Sequence, residues 1–170
     1  MRARDLSLEM ALVIAVLVSV VAAIDAEETP QRVHFPESYR TWRHVKSIVV
    51  GADAPLFDKR GGIHHYYAND LAVAGYASGR FPDGSVIVDE AVFTKDGEGL
   101  AKGILLEGER RFLEVMVKDD RLYKETGGWG FERFNRDARV GELTAIEQTQ
   151  CFGCHSMAKD RDQVFSRIRP

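Results

Sequence analysis

The segment Cys151-Phe152-Gly153-Cys154-His155 is a CxxCH run, and it constrains this chain more than any other stretch. Two thiols at this spacing can add across the vinyl groups of a haem, and a histidine directly after the second thiol can reach the iron. A fold that carries the run near its C-terminus must bring it beside a surface wide enough to cover a flat macrocycle. Other uses of the motif explain less. A structural zinc site needs four ligands, commonly as two spaced pairs. Cys151 and Cys154 are the only cysteines here, and His34, His44, His64 and His65 lie far upstream. A thioredoxin-like CxxC belongs at a helix start in a βαβ context, which nothing before Cys151 provides. A disulfide would leave His155 without a reason. The expectation is one covalent haem c, attached at Cys151 and Cys154, with His155 as the ligand to its iron.

The N-terminus predicts the compartment. Arg2 and Arg4 precede an apolar run from Met10 to Ile24, interrupted by Ser19. Its fifteen residues fall short of the roughly 20 that span a bilayer. The pattern predicts a secretory signal over 1–26, cleaved after Ala23 or Ala26, and a periplasmic domain over 27–170. Membrane attachment is expected only if the signal stays uncleaved. The whole chain carries a formal charge of −3; removing Arg2, Arg4, Asp5, Glu9 and Asp25 leaves −2. That balance provides no basic field for nucleic acid. The length after the signal suits one compact domain. Both cysteines belong to the haem motif, so the apolar core and the haem must stabilise the fold without a disulfide.

Local patterns predict an α+β domain, a mostly antiparallel sheet with flanking helices and the haem packed against the sheet. Residues 29–36 read as irregular. Tyr39 to Val45 reads as a short amphipathic helix after Ser38 as N-cap, followed by a strand at Ser47–Val50. His64 to Tyr67 is a strand or a helix start, and Asn69 to Ala77 is helical. Pro82-Asp83-Gly84 is a turn, and Val86 to Phe93 is the clearest strand, rich in β-branched residues. Gly103–Leu106 and Arg111–Val117 read as two strands around a hairpin turn at Glu107-Gly108-Glu109. Asp119-Asp120 reads as a turn, Arg121–Lys124 as a short strand and Trp129–Phe134 as another. A helix over Leu143–Gln150 leads into CxxCH, and a terminal helix is expected over Lys159–Ile168.

Several segments occur in an order that carries a family resemblance: Tyr39-Arg40-Thr41-Trp42, His65-Tyr66-Tyr67-Ala68-Asn69, Phe81-Pro82-Asp83-Gly84-Ser85-Val86, Gly128-Trp129-Gly130-Phe131, the CxxCH run, and Asp162-Gln163-Val164-Phe165. The chain resembles the cytochrome P-460 family, including the cytochromes c′-beta, over almost all of its length after the signal. The resemblance implies a single haem c against an antiparallel sheet and a homodimer. It also implies hydroxylamine and nitric oxide oxidation, or binding of nitric oxide or carbon monoxide. Cys151 and Cys154 carry over as thioether attachments and His155 as the proximal ligand. Cytochromes P-460 also cross-link a strand lysine to the macrocycle. Val86–Phe93 has no lysine and Lys95 lies just beyond it, which favours the c′-beta type.

The sixth iron position decides the chemistry. Met157 is too close to His155 to reach the opposite face of a haem, and Met116 reads as a core filler. His34, His44, His64 and His65 read as surface or propionate-pairing residues, so an open position is expected. Along Val86–Phe93 side chains alternate between faces. One face carries Ile87, Asp89, Ala91 and Phe93; the other carries Val86, Val88, Glu90 and Val92. Either face would bring one carboxylate into an apolar setting that raises its pKa, unless water or an arginine meets it. The resemblance to phenylalanine-capped c′-beta proteins tips the reading to the Phe93 face. Asp89, Glu90 and Phe93 are thus the candidates for the distal pocket. The expected partners are a diatomic or nitrogen-oxide ligand and a periplasmic electron donor or acceptor. The competing expectations are a hydroxylamine-oxidising enzyme and a plain electron carrier.

Overall fold

Five strands lie side by side in chain order, each antiparallel to the next. They are β1 Arg43–Val50, β2 Gly62–Ala68, β3 Val86–Asp96, β4 Leu105–Lys118 and β5 Trp129–Asn135. The computed structural model describes residues 32–169, so the signal expected over 1–26 lies outside the described residues. Among the described residues there are three α-helices: α1 Phe57–Arg60 and α2 Asp70–Ser78, which join strands, and α3 Ala145–His155, which follows the last one. Among the described residues no helix is long and apolar enough to cross a membrane. The layout is the expected α+β arrangement, a sheet with flanking helices.

Period-two patterning gives the sheet two buried faces. Ala68, Ile87, Trp129 and Phe131 join Val45, Phe81 and Val164 in one apolar cluster, with Cys151 and Phe152 of α3 packed on it. Val88, Leu113, Val115 and Phe134 form the opposite cluster with Val33 and Tyr39 from the N-terminal segment. Local chemistry sets the ends of the helices. The Asn69 side chain accepts from the Ala72 amide (2.9 Å), capping α2, and from the Val86 amide (3.0 Å), pinning the start of β3 to the same residue. Thr144 and Glu147 satisfy each other's amides in a capping box at the start of α3.

Several segments differ from the sequence reading. Tyr39–Thr41 makes one 3-10 turn without a side-chain cap from Ser38, and the chain then enters β1 at Arg43. Burying Tyr39 and Val45 on the sheet outweighs the weak helical periodicity. Glu107-Gly108-Glu109 is not a turn: β4 runs straight through it, and Thr94, Lys95 and Asp96 of β3 pair with Glu107, Leu106 and Leu105. The reversal lies further out, where Gly97 donates to the Ile104 carbonyl and Gly99 and Gly103 take positive φ. Arg121–Lys124 forms a turn followed by a 3-10 helix at Lys124–Thr126, in place of a strand. No α-helix forms over 159–168: a 3-10 segment Ser156–Arg161 ends at Asp162 and Gln163, both with positive φ. The CxxCH run also lies inside α3 and not after it.

Candidate functional site

Helix α3 presents the whole CxxCH run beside the β5 edge of the sheet. Cys151 is half-buried against the apolar cluster and Cys154 is exposed, and both are free thiols. Burial pushes the Cys151 thiol pKa up. No neighbour lies within 4 Å of the Cβ position of Gly153, so the turn between the two thiols is uncrowded on that side. The His155 ring lies between Phe131 and Phe165, with centroids at 5.1 and 5.0 Å. Its Nδ1 is 2.8 Å from the Gln163 carbonyl oxygen. A carbonyl can only accept, so Nδ1 carries the proton and the Nε2 lone pair is left for a metal. Burial lowers the pKa of this imidazole and the Gln163 bond only partly offsets it, so the ring is neutral at neutral pH.

The sheet face that packs α3 carries Ile87 and Asp89 on β3, and their cross-strand partners Met116 and Glu114 on β4. Beyond Met116 and Glu114 on β5 come Phe131 and Arg133. Next to the apolar level of Ile87, Met116 and Phe131 lies a charged level. Arg60 at the end of α1 donates to Asp89 (2.6 Å) and to Glu114 (2.5 Å), and Arg133 donates to the other Glu114 oxygen. His64 Nδ1 meets Asp89 at 2.8 Å while its Nε2 faces the Arg60 carbonyl at 2.6 Å. Both partners are acceptors, so both ring nitrogens donate. Burial alone would lower the His64 pKa, yet the hydrogen bond and charge of Asp89 overcome this and raise it. Burial likewise opposes ionisation of Glu114, but Arg60 and Arg133 hold its carboxyl below the usual value. With His64 protonated, three cations face two carboxylates, leaving one positive charge in excess.

The residues predicted as site residues separate. Cys151, Cys154 and His155 lie on one helix. Asp89 is buried on the face that packs this helix, whereas Glu90 points to the opposite face, held by Tyr39 (2.7 Å) and by Arg40. Neither carboxylate sits in an apolar setting, because each meets a guanidinium. Phe93 lies six residues along β3 from Ile87, roughly 20 Å at strand rise, 38% exposed and flanked by Arg111 and Arg136. The structure does not bring it to α3. Lys95 lies within β3 and not beyond it, exposed and further still from α3. Met157 is exposed and Met116 packs against the core. Nothing in the sequence groups Arg60, His64, Glu114 and Arg133, because strand register aligns the last three and Arg60 joins them from the end of α1.

These residues fit a haem c. Two free thiols lie on one helix, the adjacent imidazole has a fixed tautomer, apolar rings flank it, and the nearby charged level carries two guanidinium groups of a kind suited to carboxylates such as propionates. Among the described residues no group of three or more His, Cys, Asp or Glu side chains is gathered to hold a bare metal ion. The family model described as Cytochrome P460 matches residues 36–166. No curated protein matches the chain. The chain belongs to the cytochrome P460 family, and with it to the haem-iron cytochromes.

Proposed function

We infer that this member of the cytochrome P460 family is exported to the periplasm and carries a single haem c, joined by thioethers to Cys151 and Cys154 and ligated by His155 Nε2. The sixth iron position is open and takes nitric oxide or carbon monoxide. The observation that carries this reading is the His155–Gln163 hydrogen bond at 2.8 Å beside two free thiols on the same helix. That bond orients the ring and fixes the proton on the nitrogen that does not face the metal. When bound, the haem supplies an iron centre that exchanges small ligands and passes electrons. Phe131 and Phe165 keep water from the imidazole faces. Among the described residues, Met116 packs against the core and His64 has both nitrogens engaged, so neither is available as a second iron ligand. A periplasmic redox partner and a homodimer complete the reading.

A second reading, oxidation of hydroxylamine or nitric oxide with an electron acceptor, draws on the charged level. Such oxidations release protons with electrons, and a carboxylate kept ionised can accept a proton. Glu114, held ionised by Arg60 and Arg133, is that group. The lysine positions weigh the other way. Lys95 on β3 is remote, and the buried Lys118 is engaged by Asp162 and Asp120, so neither is free to join a macrocycle.

The test is protein matured through the periplasmic haem-attachment route. The polypeptide mass should equal residues 24–170 or 27–170 plus one haem, with no further cross-link. The reduced protein should bind nitric oxide without steady turnover of hydroxylamine in the presence of an acceptor. Sustained hydroxylamine oxidation would move the assignment to the enzyme.

A further inference from the structure

Lys118 is an unusual lysine: it sits 6% exposed on the same sheet face as α3, in cation–π contact with Trp129 at 5.4 Å. Its ammonium donates to Asp162 (3.2 Å) and to the Gly127 carbonyl (3.2 Å), and lies 3.0 Å from the exposed Asp120 carboxylate. Asp162 in turn is a hub. Its second carboxylate oxygen accepts from the Phe81 amide (2.9 Å), and its carbonyl accepts from the Trp129 indole (2.9 Å). One residue thus ties the loop before β3, the end of β4 and the start of β5 to the C-terminal segment. Asp162 and the next residue, Gln163, have φ of 51° and 66°. Two consecutive non-glycine residues in this region are costly and persist only where the surroundings over-determine them. The Gln163 carbonyl that this turn aims is the one that accepts from His155 Nδ1.

We propose that Lys118 and Asp162 form a latch that positions the Gln163 carbonyl against the His155 imidazole, and that this latch tunes the electron donation of His155 to the haem iron. The proposal rests on the haem reading above. A firmly held acceptor on Nδ1–H makes Nε2 a stronger donor, which favours the ferric state. A loosened turn lengthens that hydrogen bond and weakens the donor. Lys118 and Asp162 are positioning residues, since neither touches the imidazole.

The decisive variants keep the chain foldable. Asn tolerates positive φ, so Asp162→Asn retains the backbone turn and an acceptor for the Phe81 amide while removing the charge. Lys118→Met alone would strand the buried Asp162 carboxylate, so the double variant Lys118→Met/Asp162→Asn removes both charges together. The readouts are the iron–histidine stretching frequency of the ferrous holoprotein and its midpoint potential. Asp162→Asn and the double variant should carry haem, with the stretch shifted down and the potential shifted up, while Lys118→Arg keeps both near the parent values. Haem-loaded variants with the parent frequency and potential would overturn the latch and leave the haem reading standing. A parent protein without covalent haem would instead remove the reading on which the latch rests.

Discussion

Asp89 and Glu90 are consecutive residues of one strand, both buried, both held by an arginine, yet they belong to different parts of the molecule. Glu90 faces the cluster closed by the N-terminal segment, where Tyr39 and Arg40 use it as an anchor; the Tyr39 phenol, desolvated and bonded to Glu90, is pushed up to about 12. Asp89 faces the helix that carries the two thiols, within a level of five charged side chains. The difference comes from what each face packs, because the strand offers the same backbone to both. One face anchors the N-terminal segment and the other presents a charged wall on the side of the sheet that packs the helix of His155.

The largest expected effect breaks the second face alone. Replacing Cys151 and Cys154 together by serine should abolish covalent haem, seen as loss of haem-staining on a denaturing gel, while far-ultraviolet circular dichroism retains the β signal. Within the first face, Phe134→Ala should cost about 3–5 kcal/mol in denaturant unfolding, since the ring is 1% exposed in the opposite cluster. Its haem spectrum should stay that of the parent. Glu114→Gln and Glu90→Gln then form a matched pair. Glu114→Gln removes charge-assisted bonds of roughly 1.5–3 kcal/mol each and should alter nitric oxide release about tenfold with little change in haem content. Glu90→Gln should lower stability by about 1–3 kcal/mol and leave nitric oxide release unchanged. Equal effects of the two on ligand release would erase the distinction between the faces.

The smallest effect is a pH signature. The folded pKa of His64 is raised, so its contribution to stability is complete below its unfolded value near 6.5 and is lost as pH rises through the folded value. The gap in urea midpoint between the parent and His64→Gln should therefore narrow on going from pH 6 to pH 8. A gap that widens over that interval would mean that His64 is buried as the neutral ring.

Much of this layout is legible in the sequence. The CxxCH run is local chemistry and needs no tertiary information, and Val86–Phe93 declares itself by β-branched residues. The charged level was not legible. Arg60, His64, Asp89, Glu114 and Arg133 are spread over more than seventy positions; the antiparallel register brings the last four onto one face, and Arg60 reaches them from the end of α1. The long β3–β4 hairpin was misread because Glu107-Gly108-Glu109 has turn composition, yet its backbone is satisfied by pairing with Thr94–Asp96. The terminal helix failed for a related reason. Val164, Phe165 and Ile168 have helical spacing, but the contacts that Lys118, Phe81 and Trp129 make with Asp162 hold the chain in a turn no periodicity reports.

The proposed function requires an iron centre ligated on one side by His155 and open on the other. Its most direct test is the electronic absorption spectrum of the dithionite-reduced holoprotein, recorded before and after addition of nitric oxide. The account predicts a high-spin ferrous spectrum that converts promptly to a nitrosyl form. A low-spin, six-coordinate ferrous spectrum that nitric oxide leaves unchanged would contradict it.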